Sequence, residues 1–112
     1  MDVKANGRFL PVSAQKMRLV CDQVRGMDAE EAVTTLQFMP QKAAAMLSKI
    51  IASALANAEN NFEMNPADLF IAEISADEGP RQMRYKAGAR GRYKPRVKQS
   101  AHVQLVLREY EN

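Results

Sequence analysis

The 112-residue chain has no tryptophan, one cysteine (Cys21) and one histidine (His102). A lone cysteine cannot close an internal disulfide, and a single Cys with a single His falls short of a zinc ligand set, so no metal is expected. Catalysis by Cys21 would need His102 as its base, and no supporting motif accompanies either residue. The chain therefore reads as a non-enzyme without a cofactor. None of its five glycines belongs to a phosphate-binding run ending in Lys-Ser or Lys-Thr, which argues against nucleotide hydrolysis. No apolar run is long enough to span a membrane, and Met1-Asp2-Val3-Lys4 does not resemble a signal-peptide start. A reducing, cytoplasmic setting is the expectation.

What the chain does have is enough apolar content for one packed core, at 46% hydrophobic residues, in a length that fits a single domain. Its net charge of only +3 conceals a strong polarity. Nine Lys and Arg and no Asp or Glu lie between Pro80 and Arg108, which leaves seven cations against thirteen acids elsewhere. A basic block of this kind points to a polyanionic partner.

Along the chain, residues 1–12 read as an edge strand closed by Pro11. Ser13 is placed to cap a helix whose apolar face is Met17, Val20, Cys21 and Val24, with Gly26 as its left-handed stop. Asp28 and Glu31 have capping-box spacing for a second helix ended by Pro40. Asp28, Glu30 and Glu31 could be imagined as acid–base carboxylates, but their first-turn position already suits the helix macrodipole. From Gln41, the stripe Ala43, Met46, Leu47, Ile50, Ile51, Ala54 and Ala58 predicts the longest helix, with Asn57, Asn60 and Asn61 available for a left-handed end and a loop from Phe62 to Asp68. Phe70, Ala72, Ile74 and Ala76 alternate with polar-rich positions, as do Val103, Leu105 and Leu107, predicting paired strands under the helices.

The fold class expected is α+β: three helices packed on a small antiparallel three-stranded sheet, with a long protruding β-hairpin. The body comprises residues 1–79 and 100–112, and the arm about 80–99. Arg84, Lys86, Arg90, Arg92, Lys94, Arg96 and Lys98 share one parity, while Met83, Tyr85, Tyr93, Pro95 and Val97 fill the other. In extended chain, such a ribbon has a cationic face for phosphates and flat apolar groups for exposed bases. Gly88-Ala89-Arg90-Gly91 supplies the reversal. Basic β-arms also occur in DNA-bending architectural proteins, where Pro95 and Met83 would act as wedges; that is the rival reading.

Three stretches, in order, resemble a known family: Ser13-Ala14-Gln15-Lys16-Met17-Arg18-Leu19-Val20 with Arg25-Gly26; Ser53-Ala54-Leu55-Ala56-Asn57-Ala58-Glu59-Asn60-Asn61; and Asp77-Glu78-Gly79-Pro80 followed by Ala89-Arg90-Gly91-Arg92 and Ser100-Ala101-His102. Over almost its whole length the chain is similar to the large-subunit ribosomal protein twenty-two family. The resemblance implies a structural ribosomal protein with large-subunit (23S-type) rRNA as partner, a body near the exit of the nascent-peptide tunnel and a hairpin lining that tunnel. It implies RNA contacts at Ser13, Lys16, Arg18, Arg25 and His102 in the body and at Arg81, Arg84, Lys86, Arg90, Arg92, Lys94, Arg96 and Lys98 in the arm. The tip, Gly88, Ala89, Arg90, Gly91 and Arg92, would approach the tunnel constriction, with neighbouring large-subunit proteins and the nascent peptide as further partners. Cytoplasmic ribosomes are the implied location, with an organelle ribosome as the alternative.

Overall fold

In a computed structural model, the last strand in sequence, β5 (Ala101–Glu109), is the middle strand of an antiparallel sheet, flanked by β1 (Asp2–Leu10) and β2 (Leu69–Glu78). The structure describes residues 2–80, 82–87 and 93–110, and over 82–87 and 93–98 the backbone alone. Helices α1 (Ala14–Val24), α2 (Ala29–Gln37) and α3 (Lys42–Phe62) precede a 3₁₀ turn at Pro66–Asp68, and β3 (Gln82–Ala87) pairs with β4 (Tyr93–Lys98) in a separate two-stranded sheet. This is the expected α+β architecture.

Strict alternation on β5 buries Ala101, Val103, Leu105 and Leu107 on the side the helices cover. Against them pack Met17, Val20, Cys21 and Val24 of α1, Leu36 of α2 and Leu47, Ile51, Ala54 and Ala58 of α3. Each buried Leu, Ile or Val contributes roughly 1.5–3 kcal/mol. Small residues set the spacing: Ala43, Ala44, Ala54 and Ala58 are buried along α3, and a Cβ at Gly7 of β1 would come to 2.4 Å from Ile50 Cδ1. The helix lies directly on the strand there.

Three local expectations are corrected. Alternation in β2 fails at Ala72, where a bulge shifts the register between Ile71 and Glu73, so the buried set is Leu69, Ile71, Ile74 and Ala76 rather than the even positions throughout. The extra residue flips the parity of everything before it. Asp28 occupies the cap position of α2 but makes no capping hydrogen bond; its carboxylate accepts from the Tyr110 hydroxyl, and the Tyr110 ring stacks on Phe70 with centroids 4.7 Å apart. The asparagines of α3 stay helical, and the left-handed residue is Glu63 (φ 52°), with the helix extending through Phe62.

Gly26 has φ +84°, and its N–H donates to the Ile71 carbonyl at 3.1 Å while Met27 C=O accepts from Ile71 N–H at 2.9 Å. The left-handed turn thus threads the α1–α2 link along the outer edge of β2. Gly26→Ala is expected to cost about 1–2 kcal/mol through left-handed strain, and Gly26→Asn less, because Asn tolerates that conformation. Urea denaturation of the two variants measures the difference.

Candidate nucleic-acid interface

Helix α1 carries the body's named cations. Ser13 is its N-cap, with Oγ accepting from Lys16 N–H at 3.3 Å, so Lys16 leaves the first turn with an exposed side chain. Arg18 and Arg25 do more than face outward. Arg18 Nε donates to the Ala76 carbonyl at 2.8 Å, and Arg25 Nη2 donates to the Ile74 carbonyl at 2.9 Å while Nη1 pairs with Asp22 at 2.6 Å. Both carbonyls lie on the edge of β2 away from β5. The arginines therefore complete what Gly26 and Met27 begin and close an edge that would otherwise be open to strand addition. Guanidinium has five N–H donors, so one group can hold a carbonyl and still address a phosphate.

In the arm, the β3–β4 register sets Arg84 opposite Arg96 and Lys86 opposite Lys94, with Gln82 opposite Lys98. Between them lie the rungs Met83–Val97, Tyr85–Pro95 and Ala87–Tyr93. Rungs of two cations thus alternate with apolar and aromatic rungs, and like charges directly opposite are unfavourable without a counter-charge. Pro95 is tolerated because, among the described residues, β4 has no partner strand on its other side. Arg81 and the tip residues Gly88, Ala89, Arg90, Gly91 and Arg92 lie outside the described residues.

The root of the arm is pinned. Gly79 N–H donates to Ser100 C=O at 2.9 Å, and Ser100 Oγ donates to Pro80 C=O at 2.8 Å. A Cβ on Gly79 would reach 2.4 Å from Ser100 Oγ and 3.2 Å from His102 Nε2, so glycine permits the close approach. His102 is itself held: Nδ1 accepts from Phe9 N–H at 3.1 Å, and the Phe9 ring meets it edge-on at 4.9 Å. Phe9 adopts φ 56° where β1 shifts register between Gly7 and Leu10. His102 is thus a strand residue held at the arm's root.

Beside this root, the start of α1 and the start of α3 bound a hollow of about 720 Å³ that also reaches Gln99. It brings together Lys16 and Lys42, and Lys42 Nζ donates to the Pro11 carbonyl at 3.3 Å. Sequence reasoning missed Lys42, because only tertiary packing sets it beside Lys16. Glu78 lines a neighbouring recess that shares Ser13 and Gln99 with this one, but six other acids lie elsewhere: Asp28, Glu30, Glu31, Glu59, Glu63 and Asp68 belong to α2, the far end of α3 and the 3₁₀ turn, and no Lys or Arg occurs in 27–41 or 50–69.

Burial pushes the Cys21 thiol up to about 11, from an ordinary 9.0. A protonated, fully buried thiol behaves as a small hydrophobe, not a nucleophile. The native state keeps this proton where the unfolded chain has lost it, so its contribution to stability declines as pH rises from about 9 toward 11. Unfolding midpoints at pH 8 and 10, compared between the native sequence and Cys21→Ala, should show a smaller alkaline loss in the variant.

Arg18→Ala and Arg25→Ala are each expected to destabilise the RNA-free protein by about 1–2 kcal/mol, because a β2 carbonyl loses a charged donor. Unchanged urea midpoints would mean that the edge does not depend on them.

The profile of the family described as Ribosomal protein L22p/L17e matches residues 5–108. Similar proteins named large ribosomal subunit protein uL22 occur in Dehalococcoides mccartyi, at 50% identity over 96% of this chain and 98% of the relative. Others occur in Desulfotalea psychrophila, at 42% identity over 97% and 99%, and in Clostridioides difficile, at 40% over 97% and 98%. With a helical body on a three-stranded sheet, a basic two-stranded arm and a match over nearly its full length, the chain belongs to the L22p/L17e family of ribosomal proteins.

Proposed function

We propose that this chain is a structural, non-enzymatic constituent of the large ribosomal subunit that binds 23S-type rRNA and contributes its β3–β4 arm to the wall of the nascent-peptide exit tunnel. The observation that carries this reading is that the stretch with nine cations and no acid encloses a two-stranded ribbon inside a family match spanning residues 5–108.

In this reading the chain is one domain, with a body of 1–79 and 100–112 and an arm of about 80–99. Arg81, Arg84, Lys86, Arg90, Arg92, Lys94, Arg96 and Lys98 neutralise phosphates, and the backbone of β3 and β4 spaces Arg84, Lys86, Lys94, Arg96 and Lys98. RNA binding removes the repulsion between cations on shared rungs, so the ribbon gains order from the partner it recognises. Ser13, Lys16, Arg18, Arg25 and His102 form the body's share of the interface, at the arm's root and along α1. Residues 88–92 approach the tunnel constriction, beside neighbouring large-subunit proteins and the nascent peptide. The setting is a cytoplasmic ribosome.

If about six arm cations reach phosphates, log K against log salt should fall with a slope of about −4 to −5. Filter binding to large-subunit rRNA measures it, and a flat response would sink the electrostatic mechanism. Photoreactive groups at Arg90 should cross-link to both rRNA and nascent chains; cross-links to rRNA alone would remove the tunnel assignment while leaving RNA binding intact.

A further inference from the structure

Beyond the arm, the hollow between α1 and α3 has the composition of a site for one nucleotide. Its walls are apolar, with Val12, Leu19, Val20 and Ala43. Leu19 lines it although 64% of its surface is exposed, a large aliphatic group that α1 does not bury against the core. The side-chain amides of Gln41 and Gln99 border it, and Gln41, the cap residue of α3, makes no capping hydrogen bond with its side chain. Each amide offers both a donor and an acceptor, which is what the edge of a nucleobase requires. Lys16 and Lys42 supply the charge, and among the described residues no Asp or Glu lines the hollow. A volume of about 720 Å³ falls within the several hundred Å³ typical of small-ligand sites.

The charge arrangement along α3 supports a polyanion here. Helix termini are stabilised by acids at the N-terminus and cations at the C-terminus, yet α3 has no acid in its first turn and no cation in its last, with Lys42 at its start and Glu59 near its end. The side-chain charges reinforce the macrodipole rather than offset it, so the positive potential at the hollow is larger than either source alone would make it. A peptide from another protein would meet two lysines with no acid among the described lining residues, whereas a phosphodiester backbone meets them with matching charge.

We propose that this hollow receives an unpaired nucleotide of the bound rRNA, with its base against Leu19 and Val12, its edge read by Gln41 and Gln99, and its flanking phosphates on Lys16 and Lys42. The proposal rests on the rRNA-binding reading and adds a sequence-reading pocket to an interface otherwise built on phosphate contacts.

The test uses the full-length protein and large-subunit rRNA, with affinity measured across a salt series and nucleotide reactivity probed chemically. Leu19→Ser, at an exposed position, is expected to weaken binding roughly five- to tenfold at every salt concentration, leaving the slope unchanged and exposing one nucleotide that the native protein protects. Lys16→Gln should instead flatten the slope by about 0.7 to 0.9. Circular dichroism of Leu19→Ser reports whether the body stays folded, and Gln41→Ala provides a second variant that should expose the same nucleotide. Native-like affinity and protection in both Leu19→Ser and Gln41→Ala would overturn the pocket while leaving RNA binding standing, as would cross-links from position 19 that reach a protein instead of rRNA. Failure of the native protein to bind rRNA at all would overturn both readings.

Discussion

Everything the arm can do depends on the antiparallel pairing of β2 with β5. Glu78 pairs with Ala101, so the chain leaves the sheet and re-enters it at the same rung, with eight of the nine cations strung between. A two-stranded ribbon is marginal in water alone, and one with cations facing cations is less stable still. Its backbone can be presented because the two strands feeding it are locked into a sheet with one buried face, and because Gly79, Pro80 and Ser100 tie the exit to the return. The same pairing makes β5 the central strand, so the alternation that buries Ala101, Val103, Leu105 and Leu107 both builds the core and fixes the arm's root.

That pairing was legible in the sequence because β5 keeps strict period-two alternation, and α1 was legible because Ser13 and Gly26 bracket an apolar face of helical period. What could not be read depends on contacts between distant segments. The bulge at Ala72 is invisible to an alternation argument, since Ile71 and Ile74 are both apolar and either parity looks acceptable. The capping-box spacing at Asp28 and Glu31 was real, but Tyr110, 82 residues away, takes the Asp28 carboxylate instead. Asn57, Asn60 and Asn61 were plausible left-handed residues by propensity, and packing carried the helix past them to Glu63.

The candidate interface divides in the same way. The arm's cations were legible by parity alone, and the register of β3 with β4 adds that four of them meet in like-charged pairs, Arg84 with Arg96 and Lys86 with Lys94. For α1, composition indicated a cationic face without separating Lys16 from Arg18 and Arg25. The structure separates them: Lys16 borders the hollow, while both arginines hold carbonyls of β2. A phosphate contact by Arg18 or Arg25 would therefore be made by a side chain already fixed in place, with less rotamer entropy left to lose on binding.

Charge polarity along α3 joins these features into one electrostatic design. At a rise of ~1.5 Å per residue, the 17 steps from Lys42 to Glu59 span about 25 Å, well beyond the ~8–10 Å over which exposed charges interact through physiological salt. The acidic end of the body therefore does little to weaken the cationic end, and the modest net charge of +3 understates what a polyanion meets at α1, the hollow and the arm. A chain that needed only solubility could intersperse its charges. Segregating them along α3, in the sense that adds to the helix's own dipole, costs some helix stability and leaves the body with a cationic end and an acidic one, an arrangement that would orient the protein on the polyanion proposed as its partner.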